Sequence, residues 1–424
     1  MPLLRCLLAL LLLALAACAP LESRPGGGHA PLVLISIDGF RADYLQRGIT
    51  PNLAQLAASG ARAEGMRPAF PSLTFPNHYT LVTGLYPDHH GIVNNIFRDP
   101  DGERTYVYKD SHTTADPAWW GGEPIWVGAE KHGIRTATMF WPGSDVAIDG
   151  VRPSHWMKYD GRVSTVRRVD TVLRWFDLPP RERPRFLTLY FDQVDHAGHD
   201  FGPDSPEVNA AAADVDAAIG RLLAGLNKRG LIDKVNLVVV SDHGQAATSM
   251  DRVLYMDELI DLERARYVTL GIVAGFRPQP GDSAAVARQL LAPHEHFRCW
   301  RKEDLPPDFH YGSNPRIPPL VCLADEGWVF STRAWVARKK GQLSRGEHGY
   351  DPALPQMRAL FVAHGPAFVP GASIPVFDNV NVYPLLAHLL GVDRMRRAAQ
   401  CRELRVQLID GSVHNLFFRF RAPA

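Results

Sequence analysis

Residues 234–242 read KVNLVVVSD, and the next residue is His243. The apolar part of this stretch is continuous, with no polar residue alternating through it. A strand buried on both faces has that pattern, whereas a strand with one wet face alternates. An acidic residue, Asp242, comes where the apolar run stops. Two other stretches repeat the arrangement: PLVLISID (31–38) closes on Asp38, and RFLTLYFD (185–192) closes on Asp192. A fourth run, RALFVAHG (358–365), is apolar without the acidic end. All four read as buried parallel strands.

Helical patterns lie between them. NLAQLAASG (52–60) stops on glycine, EVNAAAADVDAAIGRLLAGLNKRG (207–230) is alanine-rich with apolar residues at helical spacing, and NVYPLLAHLLGV (381–392) is a late helix. Strands alternating with helices predict a doubly wound α/β fold. Residues 263–345 have weaker periodicity and more proline, and are expected to be an insertion of loops or short antiparallel strands. No internal repeat is present.

In open α/β sheets the carboxyl ends of the strands converge on one crevice. His196 follows Asp192 by four residues in DQVDHAGH, and His348 lies in RGEHGYD. Asp38, Asp192, Asp242, His196, His243 and His348 can therefore meet. Three carboxylates repel one another unless they are protonated or held by cations. Imidazole nitrogens and carboxylate oxygens together suit Zn²⁺ or a similar first-row ion. Six ligands exceed one tetrahedral site, and two ions roughly 3.5–4 Å apart form the clamp used in phosphoryl displacement. For each histidine taken singly, an ordinary core or surface role is the competing reading.

Residues 71–78 read PSLTFPNH. The two prolines make this a poor strand or helix interior, so a rigid bend presenting Thr74 and Phe75 is expected. A threonine hydroxyl on a metal loses its proton more readily and becomes a nucleophile. A plain surface turn is the alternative.

The chain has 424 residues, with 46 Lys and Arg against 45 Asp and Glu, for a net charge of +1. That balance gives no pull toward a nucleic acid duplex. The pairs Arg167–Arg168 and Lys339–Lys340 read as solvated faces. MPLLRCLLALLLLALAACAP at the N-terminus has one arginine, an apolar run and then small residues, the layout of a secretory signal. Leu15–Cys18 resembles a bacterial lipobox. The expectation is a signal over residues 1–18, a flexible Pro/Gly-rich tether over 19–30 and a single catalytic domain over 31–424. The protein would be exported to the periplasm, touching the membrane only through a lipid on Cys18. Ordinary cleavage, leaving a soluble secreted protein, is the alternative. Of five cysteines, Cys299 and Cys322 are the expected disulfide pair, with Cys401 left over.

SIDGFRADYL, FPSLTFPNHYTLVTGLYPDHHGIVNN, GEPIWVGAEKHG, FWPGSDV, YFDQVDHAGHDFGPDSPEV, VVVSDHG and GEHGYDPALPQMRALFVAHGPAF follow one another along the chain. This ordered series resembles the nucleotide pyrophosphatase/phosphodiesterase family of the alkaline phosphatase superfamily, from about residue 31 to about residue 391. The resemblance implies an alkaline-phosphatase-like α/β fold, two zinc ions and a threonine nucleophile, Thr74. By motif, it places Asp38, Asp242 and His243 with Thr74 on one zinc, and Asp192, His196 and His348 on the other. Asn95, the second asparagine of GIVNN, would donate to a phosphate oxygen. Phe75 and Tyr159 would sandwich a nucleobase. His78, His89, His90 and His199 stay outside the implied ligand set, and Asp195 and Asp200 read as neighbours of the site. The implied reaction cuts a nucleotide phosphodiester or pyrophosphate to a 5′-monophosphate through a phosphothreonine. A lysophospholipid or choline phosphodiesterase on the same core, a phosphomonoesterase, and a metal-binding surface lipoprotein without catalysis are the competing functions.

If the lipid anchor is correct, Cys18→Ser moves the protein from the membrane to the soluble fraction; unchanged fractionation rules it out.

Overall fold

In the computed structural model, which describes residues 29–392 and the short strands Leu404–Arg405 and Asn415–Leu416, a mixed eight-stranded sheet forms the centre. The expected signal, Cys18, Cys401 and all but the end of the tether lie outside the described residues. In chain order the strands are β1 (Leu32–Ile37), β2 (Ala61–Ala63), β3 (Thr136–Met139), β4 (His155–Met157), β5 (Phe186–Phe191), β6 (Asn236–Val240), β7 (Phe361–His364) and β8 (Ala372–Ile374). Their spatial order is β8-β2-β7-β6-β1-β5-β3-β4.

Every residue of β1, β5 and β6 is buried, as their unbroken apolar runs require. β1 lies between the other two and parallel to both. Ile37 is level with Phe191 and Ser36 with Val240. Asp38, Asp192 and Asp242 therefore leave the sheet at one height. Residues alternate between its two faces, with Leu32 and Leu34 in one apolar cluster and Val33, Ile35 and Ile37 in the other.

The run at 358–365 forms β7, but it is antiparallel to β6, with Phe361 opposite Val240 and His364 opposite Leu237. Burial on both faces makes a strand apolar whichever way it runs, so hydrophobicity alone carried no direction.

Helices α1 (Pro51–Ser59), α2 (Thr74–Thr83), α3 (Thr165–Phe176), α4 (Gln193–Phe201), α5 (Pro206–Lys228) and α6 (Val382–Leu390) flank the sheet. α5 is held at its start by Ser205, whose hydroxyl accepts from the Val208 N–H. It buries Val208, Ala212, Val215, Ile219, Leu222 and Leu226 along one stripe. From the same helix, the buried Asp216 carboxylate accepts the Asn52 and Leu53 N–H groups at 3.1 and 2.8 Å, capping α1.

Within the proline-rich part, Ala265–Thr269, Val273–Pro278, Leu320–Ala324 and Phe297–Arg301 form an antiparallel sheet with an apolar cluster of its own. Cys299 faces Cys322 on neighbouring strands, and the two form the expected disulfide. No helix among the described residues is long and apolar enough to cross a membrane.

Closing a loop of this length is worth roughly 3 kcal/mol. The Cys299→Ser/Cys322→Ser double variant is expected to lower the unfolding free energy by roughly 2–4 kcal/mol in urea titration. An unchanged midpoint under non-reducing conditions contradicts this.

Candidate active site

Thr74 is the first helical residue of α2, so the expected bend is instead a helix start. Pro76 falls in the first turn, where its missing N–H leaves no bond unmade. Asn77 braces the approach: its carbonyl oxygen accepts from the Ala69 N–H at 2.7 Å, and its amide donates to Pro71 and Leu73, both at 2.9 Å. The Thr74 hydroxyl lies 3.2 Å from His243 Nε2. The Phe75 N–H donates to Asn95 Oδ1 at 3.0 Å. That bond fixes which end of the Asn95 amide is oxygen and leaves the NH₂ group as a donor beside Thr74.

Asp38, Asp242 and His243 converge next to Thr74. His243 Nε2 is 3.0 Å from Asp242 Oδ2 and 3.6 Å from Asp38 Oδ1. Gly39 turns the chain directly after Asp38 with φ at +67°, and its N–H donates to Asp242 Oδ1 at 3.2 Å. A side chain there would also meet the Asp195 backbone at 2.9 Å. The Tyr190 hydroxyl donates to Asp38 Oδ2 at 2.6 Å, while Asp38 Oδ1 is buried without a hydrogen-bond partner. Burial, with repulsion from Asp242 and Asp195, pushes the Asp38 carboxyl well above the usual range. Burial also works against the charge on Asp242, but His243 and His78 outweigh it and hold Asp242 well below that range.

A second cluster joins Asp195, His199 and His348. His199 Nε2 lies 3.4 Å from Asp195 Oδ2, and His348 Nε2 lies 3.7 Å from Asp195 Oδ1. The rings of His243 and His348 stack with centres 3.6 Å apart, linking the two clusters. Three histidines share one device. His199 Nδ1 donates to the Gly346 carbonyl at 2.8 Å, His348 Nδ1 to Ser72 at 2.9 Å, and His243 Nδ1 to Gly244 at 3.0 Å. Each Nε2 then faces the carboxylates; burial works against charge on His243 and His199, but Asp242 and Asp195 outweigh it and raise both imidazoles. Burial drives the His348 imidazole down to about 3, so it is neutral at neutral pH. His78 differs, because its Nε2 turns to a serine hydroxyl and not to the carboxylates. Nε2 is 2.8 Å from Ser36 Oγ, and Nδ1 is 2.9 Å from the Thr74 carbonyl and 3.2 Å from Asp242 Oδ2. Three groups that could hold a metal occur among the described residues: Asp195–His199–His348, Asp38–His78–Asp242 and Asp38–Asp195–His243.

Two expected ligands are not in this assembly, and two residues set aside are. Asp192 Oδ1 receives a hydrogen bond from the buried Arg168 at 2.9 Å, and Oδ2 receives one from the Tyr159 hydroxyl. His196 is exposed. The error lies in helix phase. DQVDHAGH contains two Asp-x-x-x-His pairs offset by three residues, and the strand-end rule selects the first. Asp192, however, stands just before α4 with its side chain turned to α3. One turn inside the helix, Asp195 and His199 share the face toward the crevice. Gly198 carries the signal that distinguishes them, because a side chain there would lie 1.5 Å from Gln245 Oε1, so this face must pack closely. Gln245 also donates to Asp195 Oδ1 at 2.9 Å.

The two rings expected to hold a base have separate neighbours. Phe75 meets Tyr108 edge-on at 5.5 Å and Trp120 at 6.4 Å. Tyr159, half exposed, meets Phe140 at 5.2 Å and is tethered through its hydroxyl to Asp192.

Residues 32–351 match the family model described as type I phosphodiesterase/nucleotide pyrophosphatase. An uncharacterized pyrophosphatase/phosphodiesterase of Schizosaccharomyces pombe is 38% identical over 373 residues, 85% of this chain and 77% of that protein. Ectonucleotide pyrophosphatase/phosphodiesterase family member 3 of Mus musculus is 39% identical over 380 residues, 87% of this chain and 43% of that protein, so the chain spans less than half of that relative. Among solved structures, murine ectonucleotide pyrophosphatase/phosphodiesterase 5 superposes with a TM-score of 0.82 at 34% identity, covering 87% of this chain and 97% of the other. An inactive variant of that protein in complex with AMP superposes with the same score at 33% identity. The fold is thus alkaline-phosphatase-like, and the chain belongs to the type I phosphodiesterase/nucleotide pyrophosphatase family.

Proposed function

We propose that this chain hydrolyses nucleotide phosphodiester or pyrophosphate bonds, releasing a nucleoside 5′-monophosphate by way of a phosphothreonine on Thr74. The observation that carries the reading is the Thr74 hydroxyl, 3.2 Å from His243 and set at a helix start beside two carboxylate–imidazole clusters. AMP bound by a solved relative of the same fold supports a nucleotide substrate.

The donor set fits two zinc ions. Asp38 Oδ1 is buried without a donor, three buried carboxylates crowd together, and three imidazoles turn Nε2 toward them. Asp38, Asp242, His243 and Thr74 would hold one ion, and Asp195, His199 and His348 the other. Ions bound there supply positive charge that favours the threonine alkoxide and meets charge on the phosphoryl and departing oxygens.

The chain's own groups do the rest. Thr74 Oγ bonds to phosphorus as the bond to the leaving group breaks. The free NH₂ of Asn95 donates to a non-bridging oxygen, where charge grows in the transition state. Water then attacks the phosphothreonine, and breaking its phosphorus–Oγ bond frees the monophosphate. Phe75 and Tyr159 supply ring faces for the base, which favours stacking over base identity. Asp192 holds Tyr159 in place, and Arg168 holds Asp192. Export and a lipid anchor at Cys18 are part of the same proposal and rest on residues 1–18 alone.

Thr74→Ala should abolish turnover of a nucleotide diester while leaving bound zinc near the wild-type amount, by elemental analysis. Residual activity above a few per cent contradicts a covalent route. Asp195→Asn and His199→Ala should each lower zinc content and cut kcat/KM by roughly 100-fold or more, while His196→Ala should leave both within about twofold. The reverse pattern would restore the Asp192/His196 assignment.

A further inference from the structure

His78 is fully buried in α2, the helix that Thr74 begins. Its Nδ1 carries a proton, because both groups it meets are acceptors: the Thr74 carbonyl at 2.9 Å and Asp242 Oδ2 at 3.2 Å. Its Nε2 lies 2.8 Å from the hydroxyl of Ser36, a residue of β1 that precedes Asp38 by two positions. Asp242 follows the end of β6. One ring therefore touches the three elements that bring Thr74, Asp38 and Asp242 together.

The ring is held on its flanks as well. The Trp141 indole N–H donates to the His78 carbonyl at 3.0 Å, and the Trp141 ring meets the imidazole edge-on at 5.1 Å. Tyr190, which donates to Asp38, meets the imidazole edge-on at 5.3 Å. A polar ring in so enclosed a place costs stability unless its nitrogens are bonded, and an aliphatic side chain would fill the space without that cost. The nitrogens of His78 are bonded to the site itself. His78 also falls in one of the groups that could hold a metal, with Asp38 and Asp242. The nitrogen facing those carboxylates is Nδ1, however, and an ion there would displace its proton and break the bond to the Thr74 carbonyl.

We propose that His78 is a positioning residue, locking the first turn of α2 against Asp242 so that Thr74 Oγ approaches the phosphorus from one fixed direction. This rests on the function proposed above. The Thr74 carbonyl and hydroxyl belong to one residue, so holding the carbonyl limits where Oγ can point. In-line attack tolerates little displacement of the attacking atom. On the other side of the ring, the Gly39 N–H donates to Asp242 Oδ1 while the His78 N–H lies beside Oδ2, and together they set the plane of that carboxylate. The same N–H thus ties the nucleophile's backbone to a residue proposed to hold the ion next to it.

The test uses three variants of the full chain. His78→Leu fills the space without an N–H, His78→Asn keeps a donor where Nδ1 stands, and Ser36→Ala removes the partner of Nε2 alone. With zinc in excess, His78→Leu should lower kcat on the p-nitrophenyl ester of thymidine 5′-monophosphate roughly 10–100-fold, with KM within about threefold. It should still bind two zinc ions by elemental analysis, but lose one of them at roughly tenfold lower chelator concentration. His78→Asn should recover most of the kcat and most of the chelator resistance, and Ser36→Ala should fall between. A ring that merely packs would give no such recovery, so His78→Asn no better than His78→Leu overturns the proposal, as do wild-type values in His78→Leu. Loss of one zinc from His78→Leu at saturation makes His78 a ligand and overturns it too. If His78→Leu does not fold, Ser36→Ala decides by the same readouts, and wild-type values there overturn the proposal. A wild-type protein that binds two zinc ions but leaves the ester intact sinks the proposed function, while chelator resistance still judges His78.

Discussion

Asp38, Asp195 and Asp242 are buried within one crevice, and three carboxylates cannot all stay ionised there without positive charge close by. Much of the surrounding structure answers that constraint. Tyr190 donates to one oxygen of Asp38, Gly39 donates to Asp242, and Gln245 donates to Asp195. These bonds supply partial charges and leave other carboxylate oxygens facing inward. His199, His243 and His348 spend their Nδ1 protons on backbone carbonyls, which turns three Nε2 atoms toward the same space. Carboxylate oxygens and imidazole Nε2 atoms gathered in this way are a donor set that a divalent cation can take in exchange for the imidazole protons.

The sheet makes this arrangement possible. Because β5, β1 and β6 run parallel in level register, their ends deliver Asp38 and Asp242 at one height and start α4 at the same level. α2 begins with Thr74, and the hydrogen bond from the Phe75 N–H to Asn95 ties the next residue to the amide proposed to meet the phosphate. Arg168, fully buried, pairs with Asp192 and so keeps that strand-end carboxylate out of the cluster formed by Asp38, Asp195 and Asp242. Through Asp192 it also fixes Tyr159, so one buried cation serves both the electrostatics and a ring proposed to hold the base.

Much of this could be read from residue order. Unbroken apolar runs ending in Asp38, Asp192 and Asp242 located three strands and the edge where chemistry gathers. The helices at 52–60, 207–230 and 381–392 appear nearly as their spacing predicts, as Pro51–Ser59, Pro206–Lys228 and Val382–Leu390. What could not be read was orientation. β7 is as apolar as its neighbours and runs the other way, because burial is blind to direction. Asp192 and His196 have the same spacing as Asp195 and His199, and only the rotational phase of α4 separates a carboxylate paired with arginine from one in the cluster. Pro71 and Pro76 signalled a break in regular structure, but a first-turn proline also suits a helix start, and the helix is what formed.

Anomalous diffraction at the zinc edge, on crystals of the full chain grown with zinc, tests the central claim most directly. The expected result is two peaks, one within bonding distance of Asp38, Asp242 and His243, the other of Asp195, His199 and His348, with Thr74 Oγ facing the first. A single peak, or density beside Asp192 and His196, would contradict it.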